Sequence, residues 1–85
     1  NRIGYNILER NCEIALEFFR ENAKRYPDSP NVWDSMGEGL TKCQKYQEAY
    51  DSYQKAVSLA ENQNDESLPM YKEGLEKIKK ILKGR

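Results

Sequence analysis

The 85-residue chain contains no histidine. That removes Ser–His and Cys–His nucleophile pairs, HExxH metal helices and zinc sites that need an imidazole. It also lacks a GxxxxGK[ST] phosphate loop and a GxGxxG fingerprint. The segment MGEGL has only two glycines, spaced two apart within a helical pattern. Cysteine is scarce too. Cys12 and Cys43 form no CxxC pair, which argues against metal binding; free, partly buried thiols are the expected state, and a disulfide is the alternative. No apolar run approaches the roughly 18 residues of a membrane span, and no signal-peptide pattern opens the chain. The chain starts on Asn1 rather than Met, as expected of a piece cut from a longer protein, so the missing signal leaves its compartment open, with the cytoplasm the first expectation and the periplasm the alternative.

Net charge is also absent, with 14 basic and 14 acidic residues, which speaks against a general binder of nucleic acid or anionic membrane. The charge is nonetheless uneven. Residues 1–26 sum to +1, residues 27–66 to −5 and residues 67–85 to +4. An acidic middle and a basic end suit mutual attraction across a compact fold. At this length the chain makes one small domain with a modest core.

What is present is helical periodicity almost throughout, with no sustained strand alternation. Ile3, Ile7 and Leu8 predict a short first helix. Ile14, Ala15, Phe18, Phe19, Ala23 and Tyr26 form a second stripe, which Pro27 ends. Ser29 is placed to cap the next helix through its hydroxyl, with Pro30 at the first helical position. Trp33, Met36, Gly37 and Leu40 line that helix, and Tyr46, Ala49, Tyr50, Tyr53, Ala56, Val57 and Ala60 line the one after. The polar run ENQND leads to Asp65 or Ser67 as a cap, and then to a last amphipathic helix on Leu68, Tyr71, Leu75, Ile78 and Leu82. The expected fold is all-α, five helices joined by short connectors. Its expected core is Ala15, Phe19, Trp33, Met36, Gly37, Leu40, Ala49, Tyr53, Ala56, Leu75 and Ile78.

A glycine in a helix interior is disfavoured by roughly 1 kcal/mol against alanine. Gly37 precedes Ala49 by 12 residues, a spacing that lets the next helix press against it, with Trp33 and Leu40 filling the space on either side. No such role is evident for Gly39. A shift of 34 residues superimposes Ala15 on Ala49 and Phe19 on Tyr53, a small residue and a ring one turn apart on one helix face.

This constellation resembles the tetratricopeptide repeat, in which Trp33, Met36, Gly37, Leu40, Ala49, Tyr53 and Ala56 stand at the family's signature positions. The family's closing Pro is replaced by Glu61. The resemblance implies a short right-handed helix-turn-helix stack of about two repeats plus a capping helix. Residues 1–29 are then a truncated first repeat, shortened near Asn11, residues 30–63 the second, and residues 64–85 the closing helix. It also implies a non-catalytic protein–protein interaction module that binds a protein or peptide through its concave face. Asn31, Asp34, Ser35, Glu38, Thr41 and Lys42 would line that face. Ser35, Asp65 and Pro69 stand where a carboxylate clamp would need Asn, Lys and Arg, so that variant is not expected. An acidic groove would favour a basic or polar partner, with structural filler as the alternative.

The run FFRENAKRYPDSPNVWDSMGEG is similar to helical repeats appended to bacterial serine hydrolases of the β-lactamase or esterase type. Ala15, Phe19, Asn22, Pro27, Ser29, Asn31, Asp34, Ser35, Gly37 and Glu38 carry this second likeness. It implies an accessory domain serving packing or oligomerisation, with the chemistry located elsewhere. Within this chain Asp34 and Glu38 share a helix face but show no cleft that would make them an acid–base pair, so no enzymatic activity, metal or cofactor is expected. The basic tail KEGLEKIKKILKGR is read as a closing helix, not a membrane or RNA-binding element. The six tyrosines are read as packing rings, not base-stacking platforms. A monomer is expected, with weak dimerisation as the alternative.

Overall fold

The computed structural model describes residues 7–84, with side chains from residue 11. Those residues form an all-α stack of four helices: α1 (Ile7–Arg25), α2 (Pro30–Lys42), α3 (Tyr46–Gln63) and α4 (Leu68–Lys83). The expected break between a short first helix and the Ile14 stripe is absent, because α1 runs without interruption through Asn11. No proline or glycine lies between Ile7 and Arg25 to stop it. Ile3 of the expected first helix lies outside the described residues, as do the other residues of the first repeat before Ile7.

The α2–α3 and α3–α4 connectors are tight because a non-glycine residue in each takes the left-handed conformation. Gln44 has φ 64° and Asn64 has φ 54°. In each case the following N–H reaches back to close the helix end, Lys45 to the Leu40 carbonyl and Asp65 to the Ala60 carbonyl, both at 2.9 Å. Ser29 does occupy the N-cap of α2 in an extended conformation ahead of Pro30, but its hydroxyl makes no capping bond. Ser67 caps α4 likewise without its hydroxyl. Asp65 orders that turn instead, its Oδ1 accepting the Ser67 N–H at 2.8 Å.

Short turns make sequential helices antiparallel, so α2 and α4 run in the same direction. Helix α1 packs on α2, α3 packs on both α2 and α4, and α4 also touches α2. The result is a thin slab of 47 × 33 × 14 Å. Its radius of gyration is 13.6 Å, against about 12 Å for a compact chain of this length.

The core centres on α3. Ala49, Ala56 and Ala60 are fully buried, and these small residues let the flanking helices come close. The Tyr53 ring, 7% exposed, fills the remaining space. A Cβ added to Gly37 would sit 3.0 Å from that ring, and one added to Gly74 of α4 would sit 2.8 Å from it. Gly37 therefore makes room for the Tyr53 ring, not for the helix backbone near Ala49. Gly39 also acquires a role, since a Cβ there would lie 2.5 Å from the Phe19 ring. Each glycine costs helix propensity and gains a ring contact in exchange.

The core gains Val57, Ala60 and Tyr71 over the expected set and differs from it on α1 and at Trp33. On α1 the seam facing α2 runs through Cys12, Leu16, Phe19 and Ala23. Leu16 is only 1% exposed, whereas Ile14 and Phe18 are 59% and 63% exposed. Ala15, Phe19 and Trp33 are half-buried, not central. Trp33 packs against the core from its edge. Its indole N–H donates to the Pro27 carbonyl at 2.8 Å, and the Lys55 ammonium lies 5.9 Å from the ring centroid. It braces the turn between α1 and α2, and the Gln63 side chain adds a second tie there by donating to the Asp28 carbonyl.

The cysteines are bridged, contrary to the free thiols expected. Cys12 on α1 and Cys43 at the C-cap of α2 have Cα atoms 5.7 Å apart and form a disulfide. Their separation of 31 residues gave no sequence signal. The α1 seam and the end of α2 bring them together. Across the slab, Arg20 and Glu48 form an exposed ion pair at 3.4 Å, of a kind worth at most about 1 kcal/mol.

Two outcomes are expected. Gly74→Ala should destabilise the fold by about 1 kcal/mol, since overpacking costs roughly 1–3 kcal/mol and the helix gains about 1 kcal/mol. In a Tyr53→Leu background the same substitution should become neutral or favourable, as urea denaturation of the four proteins would show. The second concerns the disulfide. Protein unfolded without reductant should show no reactive thiol by colorimetric titration, and two reactive thiols would refute the bridge. Joint Cys12→Ser and Cys43→Ser substitution should cost about 3–4 kcal/mol for a closed loop of this length.

Candidate functional site: a groove between α2 and α4

The parallel pair α2 and α4 leaves a groove of about 300 Å³ with α3 beneath it. Asp34, Glu38, Thr41 and Lys42 line it from α2, and Met70, Glu73, Gly74 and Lys77 from α4. These are i, i+3 and i+4 steps, so each set forms one stripe of its helix. The Tyr53 ring is the floor. The two glycines that admit the ring thereby also set how closely the groove walls approach.

The candidate residues divide. Asp34, Glu38, Thr41 and Lys42 come together in the groove. Asn31, which is exposed, and Ser35, which is half-buried, are not among its lining residues. The Tyr53, Met70, Glu73, Gly74 and Lys77 contributions to this surface were not foreseen. By its sequence pattern Tyr53 belongs wholly to the core and the last helix is only a cover. One signal was available. Gly74 repeats, 37 residues after Gly37, the oddity of a glycine inside an amphipathic helix.

The groove is electrostatically uneven. Burial pushes the Asp34 carboxyl above its ordinary range, and the Glu38 carboxylate one turn away pushes it further. Burial likewise raises the Tyr53 phenol. A hydrogen bond with Thr41 opposes that rise, while the carboxylates of Asp34 and Glu38 add to it. Thr41 also donates its hydroxyl to the Gly37 carbonyl at 2.8 Å, which fixes its position over the floor. Tyr71 is raised by burial, then by Asp65 and by Asp34 from across the groove, with Ser67 opposing.

Comparison with known proteins adds no relative. No protein-family model matches the chain, and neither curated proteins nor solved structures give a match.

Among the described residues, no cluster of His, Cys, Asp and Glu could hold a metal ion, and no helix is long and apolar enough to cross a membrane. In the last helix Tyr71, Leu75 and Ile78 are buried, while Met70, Ile81 and the lysines are exposed.

The raised Asp34 pKa has a defined sign. The folded protein holds this proton more tightly than the unfolded chain does. The stability this contributes is complete below the unfolded carboxyl pKa and is lost as pH rises through the folded value. Asp34→Asn should therefore be more stable than the parent at pH 7, with the advantage shrinking towards pH 3. Urea denaturation at the two pH values tests this, and an equal or lower stability at pH 7 would contradict it.

Proposed function

We propose that this chain is a non-catalytic protein–protein interaction module of the tetratricopeptide type, which binds a peptide or protein partner in the groove between α2 and α4. The observation that carries this reading is the convergence of Asp34, Glu38, Thr41 and Lys42 with an α4 stripe over the Tyr53 ring. An apolar floor with polar and charged walls suits an extended chain, whose side chains gain burial while its backbone meets hydrogen-bonding groups. The resemblance at Trp33, Met36, Gly37, Leu40, Ala49, Tyr53 and Ala56 supports the same reading.

A photo-crosslinking residue at position 41 should capture a protein partner in the native cell extract. The same residue at the exposed position 24, on α1, should not. Glu38→Lys should reduce the capture at least tenfold while leaving the helical circular dichroism unchanged. Capture insensitive to that substitution would count against the groove.

A second reading has its own support. Ile14 and Phe18 present an exposed apolar strip on α1. Such a strip suits an accessory helical domain that packs against another part of a larger protein, or against a second copy. The likeness of the FFRENAKRYPDSPNVWDSMGEG run to segments appended to bacterial serine hydrolases supports this alternative. Light scattering over a concentration series separates the two. The groove reading expects a constant monomer mass. The alternative expects a dimer that rises with concentration and is abolished by Phe18→Lys.

A further inference from the structure

The groove walls carry charges of both signs, and the signs are segregated along its length. Because α2 and α4 run in the same direction, the chain order of each stripe gives position along the groove. Asp34, Glu38 and Glu73 lie towards the N-terminal end, with Met70 beside them. Lys42 and Lys77 lie towards the C-terminal end. Gly37 and Gly74 both abut the Tyr53 ring, so the two walls are level at that point.

The opposite charges do not neutralise one another. Glu38 and Lys42 are four residues apart, as are Glu73 and Lys77, yet neither pair closes into an ion pair. Among the described residues, no cationic side chain lies within ion-pair range of Asp34, Glu38 or Glu73, and no carboxylate lies within range of Lys42 or Lys77. The ion pairs Arg20–Glu48 and Lys79–Glu76 both lie outside the groove. An apolar floor between two unpaired charges of opposite sign is complementary to a ligand with the reverse arrangement.

We infer that the groove selects a peptide segment of opposite polarity. Its Lys or Arg side chain lies between Asp34, Glu38 and Glu73, with its aliphatic stem beside Met70, a small or apolar residue lies on Tyr53, and an Asp, Glu or terminal carboxylate meets Lys42 and Lys77. This inference rests on the interaction-module reading and specifies its ligand. The helical rise puts the two charge centres about 6–9 Å apart. An extended peptide covers that distance in about two or three residues. The partner motif is therefore a basic and an acidic residue separated by that spacing, with a small or apolar residue between them. A uniformly basic peptide satisfies only one end and is repelled at the other.

The experiment is selection of a displayed hexapeptide library on the immobilised protein, followed by fluorescence titration of the enriched peptides. Enrichment of paired basic and acidic residues at a spacing of two or three is expected. Glu38→Gln and Lys77→Gln should each weaken binding about tenfold. The joint Glu38→Lys and Lys77→Glu variant should prefer peptides with the two charges exchanged in position. Enriched peptides that bind in the groove without the charge pair, or that ignore both single substitutions while losing affinity on Met70→Ala, would overturn the polarity and leave the interaction module standing. Failure of any peptide to enrich would remove both.

Discussion

The packing of this small protein depends on one aromatic ring held between two helices that have no side chain at the point of contact. Tyr53 projects from α3 against Gly37 of α2 and Gly74 of α4, close enough that a methyl group at either position would intrude on the ring. Tyrosine contributes a large buried area and the glycines contribute proximity. Around the ring, the alanines of α3 keep its own helix slender on the buried side. The alternation of large and absent side chains fixes the spacing of three helices at once. The same device recurs on the other side of the slab, where the half-buried ring of Phe19 of α1 lies still closer over Gly39 of α2. The two contacts place a ring 20 or 21 residues before a glycine, an internal echo within the stack.

The α1 side is anchored differently. It has only a narrow seam to offer, with Leu16 buried and Ile14 and Phe18 turned outward. A covalent bond supplements that seam, joining its first cysteine to the C-cap of α2. The disulfide thus holds the C-terminal end of α2 and the buried ring holds its middle. Bridges of this kind persist in oxidising compartments and are uncommon in a reducing cytosol.

Helix periodicity, the proline punctuation and the Trp33–Gly37–Ala49–Tyr53 spacing made most of the architecture readable before any coordinates. Three things were not readable, each for a physical reason. The α1 stripe was too wide. Ile14, Ala15, Phe18 and Phe19 outnumber what one neighbouring helix can cover, so apolarity alone did not show that Leu16 faces inward. The disulfide joins residues whose proximity is set by how α1 docks on α2, a tertiary fact without local trace. The groove was half legible. Its α2 wall followed from repeat resemblance, but its α4 wall required knowing that a closing helix lies parallel to α2, with Gly74 beside the same ring as Gly37.

That shared ring has a consequence for how the protein can vary. Tyr53 is at once the wedge that sets the distance between α2 and α4 and the surface on which a ligand would lie. A substitution that reshapes the floor of the groove also moves its walls and loosens the core beneath them. Selection for a new ligand at this position would therefore be selection on folding as well. The evolutionary freedom of the surface lies instead in the charged rim, where Asp34, Glu38, Lys42, Glu73 and Lys77 can be exchanged while the spacer stays fixed.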